Sequence, residues 1–200
     1  MGKSVRNLVL ISFMGSLSFL LMKISVPILP AAPFLKLDIS DSVSFLAAIM
    51  MGPVAGVLVE LLKNTIHYIL DNSMTGVPID QASNFTAGIL FLLPAYYIYT
   101  KLNSKKGMLV GFSAGIVAMT VGMSVLNYFL FVPAYTWFLN APAWESAALL
   151  QFILSAVVPF NLIKGAVVAG VSYILVTRLH TVIERNRASV PSSVEKSVKA

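Results

Sequence analysis

The sequence predicts an all-α integral membrane protein with six transmembrane helices and both termini in the cytoplasm. Three observations carry that prediction. First, 58% of the 200 residues are hydrophobic and only 11% are charged, where a soluble domain carries roughly 25% charge. Second, apolar runs recur at about the 20-residue length that a helix needs to cross a bilayer. Third, the basic residues gather in alternate loops. This composition excludes a disordered chain and an ordinary cytosolic enzyme. The formal charge of +6 reads as loop charge on a membrane protein rather than a nucleic-acid footprint. With no cysteine, there is no disulfide, thiolate nucleophile or cysteine-held metal.

The first span is the apolar run 8–22, which follows Lys3 and Arg6. A signal peptide also has a basic start and an apolar core, but no small-residue cleavage site follows here. Instead comes a stretch with Pro27, Pro30 and Pro33. The second span, 42–51, is short or strongly tilted, and Gly52-Pro53 ends it. The remaining runs are 53–70, 79–102, 108–132 and 147–176. Residues 1–187 thus form one membrane domain, and the polar, Ser-containing segment 188–200 is expected to be a disordered tail.

Charge placement tests the count. With the amino terminus inside, Lys3, Arg6, Lys101, Lys105, Lys106, Arg178, Arg185, Arg187, Lys196 and Lys199 share the cytoplasmic side. They are ten of the 14 basic residues. Only an even number of spans keeps both terminal clusters there. The outer segments carry Asp38, Asp41, Asp71, Asp80 and Glu145, with Tyr128, Tyr135, Trp137 and Trp144 at interface depth.

Charged groups inside spans cost a few kcal/mol each and so point to function or partner contact. Glu60, Lys63, Asn64, His67 and Asp71 line one helical face over three turns. They form either a self-satisfied stripe facing the bundle, with Glu60 paired to Lys63, or a seam for substrate or partner. In the last span, Asn161 and Lys164 share a face just beyond Pro159. No acid lies near Lys164 in its own span, so it calls for solvent or a ligand, or else it snorkels to the interface. Lys23 reads as a snorkelling residue. Gly111-Phe-Ser-Ala-Gly115 fits G-x-S-x-G, but it sits inside an apolar helix, where small residues let helices approach. Asn84-Phe-Thr86 opens a span, so its glycosylation pattern is idle. No phosphate loop is present, and His67 lacks companions for a metal.

Leu8-Val-Leu-Ile-Ser-Phe-Met-Gly-Ser16, Phe34-Leu-Lys-Leu-Asp38, Gly52-Pro-Val-Ala-Gly56, Glu60-Leu-Leu-Lys-Asn64 with His67, and Asn161-Leu-Ile-Lys164 follow in order. Together, over roughly residues 3–185, they resemble the riboflavin-specific substrate-binding (S) components of energy-coupling factor (ECF) transporters. The resemblance implies a multi-pass protein of the bacterial plasma membrane that is not itself an enzyme. It would capture riboflavin beneath the first outer loop and work with a transmembrane coupling subunit and two cytosolic ATPases. Riboflavin is then a transported ligand, and no cofactor or metal is expected.

By the same resemblance, Ser12 and Ser16 take the small-residue positions that contact the coupling subunit. Asn161 and Lys164 are assigned to the polar edge of the ligand, with Asn127 as a third candidate because an amide both donates and accepts. Leu37, Asp38 and Asn84 are further contacts, while Phe34, Leu35 and Tyr128 supply walls or a lid. Competing readings are an S component for biotin or a folate, whose carboxylates would suit Lys164. Others are a stand-alone proton-coupled carrier using Glu60, or an intramembrane hydrolase using Ser113 or His67.

Overall fold

A computed structural model describes residues 3–29, 32, 34–181 and 183. The expected tail 188–200, the cytoplasmic charges beyond Arg178, and Pro30 and Pro33 lie outside the described residues. Within them run six helical rods: α1 (Lys3–Lys23), α2 (Asp41–Met51), α3 (Pro53–Asp71), α4 (Ile79–Leu102), α5 (Lys105–Phe138) and α6 (Ser146–Arg178). Four of them, α1, α4, α5 and α6, are long and apolar enough to cross a membrane. Helix α2 is different. Its 11 residues rise only about 16 Å, and Asp41 through Met50 are all buried. It is a plug in the middle of the bundle, which explains why its sequence is apolar without alternation.

Local chemistry sets the boundaries. Gly52 separates α2 from α3 at φ +100°, a backbone region closed to most side chains, and Pro53 opens α3 at a position where its missing N–H costs nothing. Asn103 adopts a left-handed conformation at φ +40°, and Ser104 caps α5 by accepting from the Gly107 N–H at 2.9 Å. Helix α5 outruns the apolar run 108–132 because Pro133 does not stop it, and α6 runs unbroken through Pro159. Each passes through one π turn, Asn127–Phe131 and Ile153–Val157, just before Pro133 and Pro159. A proline ring clashes with the carbonyl four residues back, and that carbonyl falls inside the widened turn in both cases.

The core lies between α2, α4 and α5. Phe45, Phe91 and Phe112 meet there, with Phe91 and Phe112 stacked at 6.0 Å and Phe45 5.1 Å from Phe112. Gly111 and Gly115 let α5 ride directly on α4. A Cβ at these positions would stand 2.7 Å from the Ala95 carbonyl oxygen and 2.6 Å from that of Phe91. The G-x-S-x-G run is therefore a packing surface, and its Ser113 faces outward. Exposed Leu, Val, Ile and Phe side chains cover the outside of α1, α5 and α6, the surface a bilayer would solvate.

Candidate ligand-binding cavity

The described part of the segment between α1 and α2 folds over one end of the bundle. Val26 pairs with Leu37 and Pro27 with Lys36 in a two-stranded antiparallel ribbon, β1 (Val26–Pro27) and β2 (Lys36–Leu37). Phe34 packs on Tyr135 at 4.8 Å and on Phe152 at 6.2 Å, so this loop is anchored on α5 and α6. Beneath it lies a narrow cleft with a cavity volume of about 60 Å³. Its walls stand close together.

Of the residues expected at the site, Asp38, Asn84, Asn127, Asn161 and Lys164 all line this cleft, together with Phe34 and Leu35. Leu37 does not. It packs, as does Tyr128, on a separate apolar cluster that contains Leu149, Ile153 and Phe160. Asn127 lies in the first π turn and Asn161 just beyond the second. Each donates from Nδ2 to a carbonyl of its own helix, Met123 and Val157 respectively, at 2.8 Å. That bond spends one amide hydrogen and fixes the side chain's direction, leaving an acceptor and a donor for other partners. Asn84 donates weakly to Asp38 at 3.4 Å, while its own Oδ1 is buried with no partner.

Lys164 departs from the sequence expectation. It is neither snorkelling nor waiting for solvent, because Asp38 Oδ2 stands 3.3 Å and Asp41 Oδ2 3.2 Å from its ammonium. Both acids come from the loop and α2, far away in sequence. Asp38 is buried and positioned by an Asx turn, in which Oδ1 accepts from the Ser40 N–H at 2.9 Å and from the Ser40 hydroxyl. Burial by itself would raise the Asp38 carboxyl. Lys164, Lys63 and the Ser40 bonds outweigh it and hold the group at about 2. Asp41 occupies the first turn of α2, where a carboxylate is favoured by the helix N-terminus.

The polar stripe of α3 splits by depth. Glu60, Lys63 and Asn64 are buried in the bundle, so this part faces inward. Lys63 pairs with Glu60 at 2.9 Å, as its spacing predicts. It also bonds Asp41 and donates to the Ser40 hydroxyl at 2.8 Å. Ser40 accepts in addition from buried Ser18 of α1, through its carbonyl, at 2.9 Å. Further along the stripe, His67 Nδ1 meets Gln81 Nε2 at 2.9 Å at the cleft wall. Asp71 sits at the rim and pairs with Lys23 at 2.5 Å. Lys23 is therefore an ion-pair partner between two helix ends, and not a lone snorkelling side chain.

Asp41 and Ser40 are the residues that sequence reasoning missed. The available signal was the Asp38–Asp41 spacing, two acids three residues apart in an outer segment, together with an unpaired lysine on a distant helix. Ser12 and Ser16 lie on the exposed side of α1, with the Ser16 hydroxyl donating back to the Ser12 carbonyl at 3.0 Å.

Comparison with known proteins agrees with this architecture. The family model described as "ECF transporter, substrate-specific component" matches residues 6–176. The riboflavin transporter FmnP of Bacillus subtilis (strain 168) is 43% identical over 185 residues, covering 92% of this chain and 97% of that protein. The riboflavin transporter RibU of Staphylococcus aureus (strain TCH60) is 38% identical, covering 90% and 93%. A solved structure described as the S component of a bacterial ECF transporter superposes with a TM-score of 0.77 at 36% identity, covering 90% of this chain and 99% of its own. A helical bundle with a lidded polar cleft, matched over nearly its whole length, places the chain in the family of substrate-specific components of ECF transporters.

Proposed function

We propose that this chain is the riboflavin-binding membrane subunit of an ATP-driven vitamin uptake transporter in a bacterial plasma membrane. It crosses the membrane six times, with α2 and α3 as one return pair, and keeps both termini in the cytoplasm. It captures riboflavin at the outer face and delivers it inward with a transmembrane coupling subunit and two cytosolic ATPases. The observation that carries this reading is the nearly full-length match to proteins named riboflavin transporters.

The cleft then favours this vitamin over its rivals. An isoalloxazine is flat, largely apolar and neutral, with carbonyls and an N–H along one edge. Asn127, Asn161 and Lys164 offer donors and acceptors to such an edge, while Asp38 and Asn84, with its unpartnered Oδ1, suit ribityl hydroxyls. Biotin and folates carry carboxylates. Lys164 already faces two carboxylates, so a third placed beside it would meet repulsion from Asp38 and Asp41. The narrow walls imply that Phe34 and the β1–β2 ribbon part from α5 and α6 when the ligand enters. Ser12 and Ser16 present a small-residue surface suited to close helix contact with the coupling subunit.

The test is a purification followed by titration with riboflavin, biotin and a folate. Riboflavin should quench intrinsic fluorescence and leave a yellow protein with the visible flavin band. A colourless protein that responds to biotin or folate, or to none of them, overturns the reading.

A further inference from the structure

Five ionisable side chains are buried together, Asp38, Asp41, Glu60, Lys63 and Lys164. Three are acids and two are bases, so the cluster is formally one charge negative. Only Asp38 and Lys164 line the cleft. Lys63 does not touch it, yet it has three partners beneath it. It bonds Asp41 Oδ1, the Ser40 hydroxyl at 2.8 Å and Glu60 at 2.9 Å. Asp41 uses one oxygen on Lys63 and the other on Lys164. Ser40 bonds Lys63 and Asp38 through the same hydroxyl. Each acid beside Lys164 is thus held, directly or through one serine, by Lys63.

We propose that Lys63 is a positioning residue of the ligand site, one that holds Asp41 and Ser40 so that the Lys164 ammonium stays directed into the cleft. The physical reason is competition. Asp41 shared between two ammonium groups is a moderate partner for each. Without Lys63, the neighbourhood holds three carboxylates against the single charge of Lys164. At low effective dielectric that surplus acts strongly. The Lys164 ammonium is drawn toward Asp41 and Glu60 and away from any ligand carbonyl, and Ser40 loses the donor that helps fix the lid.

The inference rests on the riboflavin reading, and its test is a double-mutant cycle on the full chain. Riboflavin affinity is measured for the wild type, Lys63→Met, Asp41→Asn and the double variant. Lys63→Met should weaken binding about tenfold or more. The double variant, which removes one charge of each sign, should recover to within about threefold of Asp41→Asn alone. At saturating riboflavin, the visible band of the bound flavin should shift in Lys63→Met and return in the double variant. A purely structural lysine would give multiplicative losses and an unmoved band, and that result overturns the proposal. Should Lys63→Met not fold, Asp41→Asn carries the test: a shifted flavin band supports the proposal, and unchanged affinity with an unmoved band overturns it. A folded wild type that ignores riboflavin sinks the functional reading instead. The cycle is then read on unfolding temperature, where recovery in the double variant supports the Lys63–Asp41 coupling and additive losses overturn it.

Discussion

The ammonium of Lys164 on α6 stands 3.3 Å from the carboxylate of Asp38, a residue 126 positions earlier in the lid over the cleft. This contact ties the lid to α6 at the wall of the cleft. It also converts an isolated intramembrane cation into part of a paired cluster, so its disruption has both a binding and a stability cost.

Replacing the lysine exposes both costs. Lys164→Ala leaves Asp38 and Asp41 without the ammonium and, on the proposed role of Lys164, leaves a ligand acceptor unpaired. Riboflavin binding should weaken by about 1–3 kcal/mol, and the unfolding temperature in detergent should fall as well. Unchanged affinity would remove Lys164 from the ligand contacts.

The lid carboxylate sets a pH window. Asp38 is held at about 2, below its ordinary 3.8. A depressed carboxyl contributes stability that is complete above the ordinary value and disappears as pH falls through the folded one. The difference in unfolding temperature between wild type and Asp38→Asn should therefore be constant from about pH 5 to 8 and shrink below about pH 4. A difference that changes between pH 5 and 8 would contradict this assignment.

Helix packing gives a different prediction. A methyl group at position 115 would lie 2.6 Å from the Phe91 carbonyl oxygen of α4, and backbone cannot yield as a flexible side chain does. Gly115→Ala should destabilise by about 1–3 kcal/mol, read as a lower unfolding temperature. Ser113→Ala, on the outward side of the same turn, should change nothing measurable.

The rim ion pair is expected to matter little. Lys23 is about half exposed, at 48% of its side chain, so solvent screens its bond to Asp71. Asp71→Asn should cost about 0–1 kcal/mol and leave riboflavin affinity unchanged. A tenfold loss of affinity would show instead that the rim latches the cleft.

The proposed coupling face can be separated from the cleft. Ser16→Leu places bulk on the exposed side of α1 without touching the cavity. Assembly with the coupling subunit should fall in a pull-down while the isolated chain binds riboflavin as before. Loss of both would show that α1 packing, and not a contact surface, had been damaged.

Much of the architecture was legible because its causes are local. The run 79–102 coincides with α4 because bilayer length and composition act residue by residue along one helix. The pairing of Glu60 with Lys63 was legible for the same reason, since three residues on a helix are neighbours in space. The ends of α5 were not. The apolar run stops at 132, one residue before Pro133, and only the widened turn at Asn127–Phe131 shows how the helix carries on. The depth of α2 was also hidden, because an apolar run of 11 residues looks alike whether lipid or protein surrounds it.

The sequence by itself determined a helical membrane protein, the order of its rods, the close approach at Gly111 and Gly115, and a short set of polar residues too costly to be idle. The tertiary structure alone decided what those polar residues meet. The helix of Lys164 offers it no acid, yet chain folding brings Asp38 and Asp41 beside it. Helix formation depends on neighbours a few residues apart, whereas electrostatic pairing in a buried cluster depends only on distance in space. That is why the charges were visible in the sequence and their partners were not.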